Sequence, residues 1–441
     1  MCSTETPKGD GAHEVGPDGS SEDRVDAPGA PAAVLHRRDP VAAMAALCAL
    51  SAAAFAYVTT ESLPVGLLQP ISHGLHSSLV ATGRLVTVYA AINVALSAPL
   101  THLTKGLPRK TTMCVLMAAL VATSLAAAAA PGYGWLMAVR VVTALGQAVF
   151  WSLVIPTAAS LFPAGMTGRA VGWVLGGATL AVVLGVPAGT WLGQLAGWRA
   201  AFLGVAVLAA VVSAPIALAL PSYDPAETHA GTGSAPDGRR YRLAIVTTAL
   251  AVGGFFCMYT YVSPFLTKVG GLALHDVAAV LLVTGAATLT GVFAGSVVSR
   301  RRPDIAPLVP VAVLAPALIG RYFAGRVLPA AIVLIAAACV ALGAYDVSNQ
   351  NRILEVAPAS TEIASAWASA SFNAGIAGGS LAGGIVLNGY GPRPTALLGG
   401  LVAVAALLLG APATRPRRDV RSEARSASGE AMGENPPSKG Q

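Results

Sequence analysis

Apolar residues fill long stretches of this chain, and short segments rich in Gly, Pro and Arg separate them. Read for runs of about 18 residues or more, enough to cross a bilayer, the pattern predicts twelve spans. They fall at 41–66, 80–103, 111–130, 134–159, 169–195, 200–220, 243–265, 277–298, 305–323, 328–347, 363–387 and 394–411. The longest internal polar stretch, PSYDPAETHAGTGSAPDGRRY, lies between spans six and seven. It predicts an N-terminal six-helix bundle at 41–220, a cytoplasmic linker at 221–242 and a C-terminal six-helix bundle at 243–412. Residues 1–40, rich in Gly, Pro, Ser and acids, and residues 413–441 read as disordered cytoplasmic tails. The first apolar run starts far from the N-terminus and many follow, so a cleaved signal peptide is not expected.

Within span five a small residue recurs every fourth position, as Gly177, Ala181, Gly185, Gly189, Gly193 and Gly197. Four residues make about one helical turn, so these positions form a stripe that a neighbouring backbone can approach closely. Pro187, in its middle, removes a backbone donor and bends the helix. The two halves also echo each other. Gly185, Gly189, Gln194, Gly197 and Arg199 reappear at a constant offset as Gly379, Gly383, Asn388, Gly391 and Arg393, and the spacing of Phe55 and Pro64 recurs as Phe255 and Pro264. Internal repeats of this kind build many transporters.

Composition removes the soluble classes. Of 441 residues 54% are hydrophobic and 11% charged, with mean hydropathy +0.65. The net charge of +7 does not point to nucleic acid, because no basic helix with interleaved aromatics is present. The charge sits in loops. One side carries Arg37, Arg38, Lys105, Arg109, Lys110, Arg169, Arg239, Arg240, Arg242, Arg300 to Arg302, Arg352 and the arginines from Arg415 to Arg421. The other carries Arg84, Arg199, Lys268, Arg321, Arg326 and Arg393. The positive-inside rule then puts both termini in the cytoplasm and requires an even number of spans. Cys2, Cys48, Cys114, Cys257 and Cys339 are far apart, so neither metal nor disulfide is expected.

An ionisable side chain inside a span costs about 2.5–3.5 kcal/mol on insertion scales and invites a functional reading. Glu61, near the end of span one, is the candidate for proton coupling; an interfacial acid, solvated or tied to a neighbouring backbone, is the structural alternative. Arg140 in span four stays charged and must find acceptors. It can pair with a carboxylate and so join the proton coupling, hold substrate, or bond helix carbonyls. Gln147 lies about two turns from Arg140 on the same face, and Trp151 one turn further, as candidate cavity residues. Tyr57, Tyr89, Asn93, Tyr259 and Asn373 are further candidates for the substrate cavity, with interhelical hydrogen bonding as the alternative. Asp346 is expected at the cytoplasmic side, where Arg352 and water satisfy it.

Taken together, the twelve spans, the echoing halves, the basic turn after span two, Arg140 and the GVPAG of span five resemble the major facilitator superfamily, in its twelve-span drug:proton antiporter branch. TTESLPVGLLQPI, VTVYAAINVALSAPL and ASFNAGIAGGSLAGG resemble its sugar-efflux group, which includes arabinose efflux permeases and chloramphenicol exporters. The resemblance covers roughly residues 40–411. It implies an all-α polytopic membrane protein of two pseudo-symmetric six-helix bundles in a bacterial cytoplasmic membrane. It also implies export of a small, neutral or weakly polar solute (a sugar, a nucleoside or an antibiotic-like metabolite) in exchange for protons by alternating access. No cofactor is implied, the proton gradient being the energy source; the partners are the solute, protons and lipid, and the working form is a monomer.

Carried over by position, Gly185, Pro187 and Gly189, with Gly193 beyond, match the antiporter signature; Arg140 and Gly146 match the span-four motif; Pro64, Gly66 and Glu61 match the span-one motif. The basic turn departs from the family. It has Thr104 and Lys105 where an acid and an arginine are expected and keeps only Arg109 and Lys110, which weakens the gating network that this turn normally makes. Gln147 stands where relatives often carry histidine, which shifts proton coupling toward Glu61. A facilitator or importer of the same fold is the alternative. A membrane enzyme is disfavoured because all seven histidines lie in tails, loops or span ends.

Overall fold

The computed structural model describes residues 40–104, 107–162, 166–220, 235–358 and 361–411, and among these there is no strand. The first half comprises α1 (Pro40–Gly66), α2 (Leu68–Gly74), α3 (Leu79–Thr104), α4 (Arg109–Ala128), α5 (Tyr133–Ser160), α6 (Thr167–Leu180), a π turn (Ala181–Gly185), α7 (Val186–Ala196) and α8 (Trp198–Ala219). The second comprises α9 (Gly238–Tyr259), α10 (Val262–Lys268), a 3₁₀ turn (Leu274–Asp276), α11 (Val277–Arg301), α12 (Leu308–Ala324), α13 (Leu328–Val356), α14 (Thr361–Tyr390) and α15 (Arg393–Gly410). Among the described residues, eleven helical stretches are long and apolar enough to cross a membrane. The twelfth, α12, has 17 residues, or about 25 Å of helix, the short end of what a bilayer core needs. The tails and residues 221–234 of the linker lie outside the described residues, as does Lys105.

Helices suit these sequences because lipid offers no partner for a backbone amide, so each span must bond within itself. Where a span breaks, the sequence shows why. α1 is followed across Leu67 by the seven-residue α2, and α9 is followed across Thr260 and Tyr261 by the seven-residue α10. These breaks lie 194 residues apart (Leu68 to Val262), the offset that also relates Gly185 to Gly379. Pro70 thus corresponds to Pro264, and the echo read from Phe55 and Pro64 is not the structural one: Pro64 corresponds to Met258 and Glu61 to Phe255. A proline's position in a sequence records no contact, whereas the glycine stripe does.

Span five, expected as one bent helix, is α6 and α7 joined by the π turn. The Val186 N–H bonds Ala181 O, five residues back, so the ladder is already widened where Pro187 lacks a donor. Its stripe lies along α1. A Cβ on Gly177 would strike the Ser51 carbonyl, one on Gly185 the Thr59 hydroxyl, one on Gly189 the Leu63 side chain at 2.6 Å, and one on Gly193 the Leu67 side chain at 2.5 Å. Two four-residue rhythms mesh in register. The second half repeats this on α14 and α9: a Cβ on Gly375 would meet Ala249 O at 2.7 Å, and Cβ atoms on Gly379 and Gly383 would strike the carbonyls of Gly253 and Cys257. Gly197 and Gly391, with φ of 86° and 82°, follow the stripes in both halves.

The end at which α1 begins and α15 finishes is here the terminal end, and the opposite one the distal end. Toward the terminal end the apolar core stays within each half, around Leu50, Met117, Phe150 and Val174 in the first and around Ala244, Ile353 and Ala368 in the second. Toward the distal end one apolar cluster joins both, as Val65, Val86, Ala90 and Val186 pack among Phe255, Val262, Phe265, Val280 and Leu281. Gln69 on α2 donates to the Thr267 hydroxyl on α10 at 2.6 Å, and Gln194 on α7 to Leu274 O at 2.7 Å. The halves are therefore sealed to each other at the distal end.

Two charges differ from expectation. Arg321, expected in a loop, is fully buried within α12, its guanidinium 3.9 Å from the Phe265 ring centroid and 3.0 Å from Met258 Sδ. Asp346 is exposed and Arg352 buried. Six residues turn a helix through about 240°, so these two leave α13 on different faces and do not pair.

Candidate functional site

α1, α3 and α5 meet in the first half around Glu61, the only acidic residue between positions 40 and 220. The Gln147 amide on α5 donates to Glu61 Oε2 at 2.7 Å, and its oxygen accepts from the Tyr89 hydroxyl on α3 at 2.5 Å. Arg140, two turns along α5 and 1% exposed, stacks its guanidinium 4.1 Å from the Tyr89 ring centroid. Four side chains from three helices thus form one closed arrangement.

The guanidinium is aimed at backbone and not at the carboxylate. Arg140 Nη1 donates to Thr60 O at 2.7 Å and Nη2 to Glu61 O at 2.9 Å. Chain chemistry explains the choice. A helical carbonyl bonds the amide four residues on, and for Thr60 that residue is Pro64, which has no N–H. The proline exposes an acceptor, and the arginine supplies the donor that lipid cannot. Arg140 Nε has no protein acceptor.

The other predicted cavity residues are distributed differently. Tyr57 is 1% exposed, spends its hydroxyl on Leu116 O at 2.9 Å and stacks on Phe150 with centroids 4.4 Å apart, so it lies in the packing of the first half. Trp151 meets Phe150 edge to face at 5.7 Å and is half-buried. Asn93, one turn from Tyr89, and Asn373 on α14 each bury a side-chain oxygen with no donor. Tyr259 stacks on Phe255 at 4.7 Å, with its hydroxyl 3.5 Å from Thr284 Oγ1. Gly146 stands beside the Tyr57 hydroxyl, and Gly66 faces Thr190 across a gap too small for a methyl. Arg109 and Lys110, half-buried, open α4. Among the described residues no His, Cys, Asp or Glu cluster gathers a metal site.

Sequence reasoning missed a cavity of about 210 Å³ at the terminal end of α11 and α13, lined by Ser299, Arg300, Ser348, Asn351, Arg352 and Glu355. The polar run SNQNR at 348–352 was its available signal.

Residues 50–359 match the family model described as Major Facilitator Superfamily. The chain is 35% identical over 381 residues to the "Uncharacterized MFS-type transporter YtbD" of Bacillus subtilis (strain 168), spanning 82% of this chain and 94% of that protein. It is 32% identical over 363 residues to the "Probable sugar efflux transporter" of Mannheimia succiniciproducens, spanning 81% and 90%. With the "Inner membrane transport protein YdhP" of Escherichia coli (strain K12) it shares 32% over 379 residues, spanning 82% and 94%. Among solved structures, a bacterial homolog of the human lysosomal transporter Spinster, in an inward-facing and unoccupied conformation, superposes with a TM-score of 0.67 at 16% identity, over 86% of this chain and 98% of that one.

Proposed function

The chain belongs to the major facilitator superfamily, and from that membership we propose that it exports a small, neutral or weakly polar solute across the cytoplasmic membrane in exchange for protons. It is a multi-pass membrane transporter and not an enzyme. The observation that carries the proposal is the placement of Glu61. The lone acid of the first half sits beside a permanent cation and is wired through Gln147 to Tyr89. With the carboxylate charged, Arg140 is balanced. A proton on Glu61 leaves the arginine's charge uncompensated, so protonation changes the electrostatic preference of the bundle.

The cargo reading rests on polar and aromatic groups of both halves, with Asn93 and Trp151 one helical turn from Tyr89 and Gln147 and with Asn373 and Tyr259 on α14 and α9. Asn93 and Asn373 offer unpaired amide oxygens, and Trp151 and Tyr259 offer ring faces. Such a set favours a solute with hydroxyl donors and a compact body, and the sugar-efflux name of one relative supports sugars first, then nucleosides and antibiotic-like metabolites. With the termini cytoplasmic, as the basic loops favour, the sealed distal end faces outward. Cargo then enters from the cytoplasm, and rocking of the halves delivers it outside.

Inside-out vesicles from a pump-deficient host, given labelled pentoses, hexoses, nucleosides and an amphenicol in turn, test this. Uphill uptake of one of them that an imposed proton gradient drives and a protonophore abolishes is the expected result. Equilibration at the same rate with and without the gradient identifies a facilitator and overturns the exchange.

A further inference from the structure

Opening the distal end requires α3 of the first half to part from the α9–α10 break and α14 of the second. Tyr261 occupies that junction. It is 1% exposed, and its hydroxyl donates to Ser380 O on α14 at 2.9 Å, beside a 2.7 Å hydrogen bond between the Thr260 and Ser380 hydroxyls. The ring lies against two glycines from opposite halves. A Cβ on Gly83 of α3 would stand 2.6 Å from Tyr261 Cε1 and 2.8 Å from Cζ, and one on Gly384 of α14 would stand 2.6 Å from the hydroxyl oxygen. Neither wall tolerates a methyl group while the ring is seated.

We propose that Tyr261 is the bolt of the distal gate, held to its own half by Ser380 and seated against Gly83 of the other half only when that gate is shut. The repeat supplies the comparison. The position that corresponds to Tyr261 at the 194-residue offset is Leu67, which packs against Gly193 within its own half. Tyrosine in place of leucine adds a ring and a hydroxyl, and that added length reaches α3. The contact is steric, and Tyr261 directly precedes Val262 of the apolar cluster that joins the halves. Its fit therefore biases the closed–open equilibrium without any role for cargo or proton.

The test reads distal opening directly. In a variant lacking the native cysteines, Val280→Cys places a thiol in the sealed cluster, and a membrane-impermeant maleimide is applied from the distal side. Adding Gly83→Ala raises the labelling rate at least fivefold when Tyr261 is present. In a Tyr261→Leu background the same Gly83→Ala change has no effect, because the methyl then meets no ring. Unchanged labelling on Gly83→Ala, or an equal rise in both backgrounds, overturns the proposal. If Gly83→Ala alone does not accumulate in the membrane, recovery of the protein by added Tyr261→Leu supports it, and loss of both contradicts it. The readout requires neither cargo nor a proton gradient, so it stands or falls separately from the proposed exchange.

Discussion

Arg140 donates to the carbonyl of Thr60, 80 residues earlier in the chain, and takes the place of the helical amide that Pro64 lacks. The relationship can be read as a thermodynamic cycle. Arg140→Ala leaves buried acceptors without donors, at about 1–3 kcal/mol for each. In a Pro64→Ala background the chain supplies its own amide to Thr60, and the arginine change costs less. Thermal midpoints of the four proteins in detergent are expected to show this non-additivity.

Tyr89 is held at two points, by its hydroxyl on Gln147 and by its ring over Arg140. Tyr89→Phe removes the first and keeps the second. It should cost about 1–3 kcal/mol through the orphaned amide oxygen. Tyr89→Leu loses the cation–π contact as well and should cost about 0.5–2 kcal/mol more. Denaturation in detergent and transport rate should both follow the order wild type, Phe, Leu.

The glycine stripes yield a graded series. A methyl on Gly177 or Gly379 meets a backbone carbonyl, which cannot move aside; on Gly189 it meets the flexible end of Leu63; on Gly176 nothing lies within 4 Å. Alanine is therefore expected to destabilise most at 177 and 379 and little at 189. At 176 it should stabilise by about 0.5–1 kcal/mol, the helical penalty of glycine. Thermal midpoints measured on the four single variants check the ranking.

Gln69 and Thr267 join α2 to α10 across the distal seal. With cysteines at both positions and the native thiols removed, a short bifunctional thiol reagent should tie the halves together at that end. Transport in vesicles is expected to stop after cross-linking, and a linker with a cleavable disulfide should restore it on reduction.

These residues also show what the sequence could and could not reveal. The spans were legible because lipid forces long apolar runs, although α12 runs only 17 residues. Glu61, Arg140, Gln147 and Tyr89 were legible as polar groups in apolar surroundings, and the structure brings all four together. That Arg140 bonds carbonyls was readable in principle from Pro64, four residues after Thr60. The glycine spacing carried the true 194-residue register, since Gly185 and Gly189 in one half and Gly379 and Gly383 in the other each stand where a neighbouring helix passes too close for a methyl. Arg321 could not be placed, because a charge near a helix end looks the same whether it turns outward or lies under Phe265. Tyr261 could not be found either, as its partners Gly83 and Gly384 are distant in sequence and ordinary in composition.

The proposed exchange rests on Glu61, and proton movement tests it most directly. Protein reconstituted in liposomes that enclose a pH-sensitive dye, given a gradient of the cargo identified in vesicles, should change the lumenal pH as cargo moves. Glu61→Gln keeps a side chain of the same size and should retain cargo counterflow while that pH change disappears. Undiminished cargo-driven proton movement in Glu61→Gln would contradict the account.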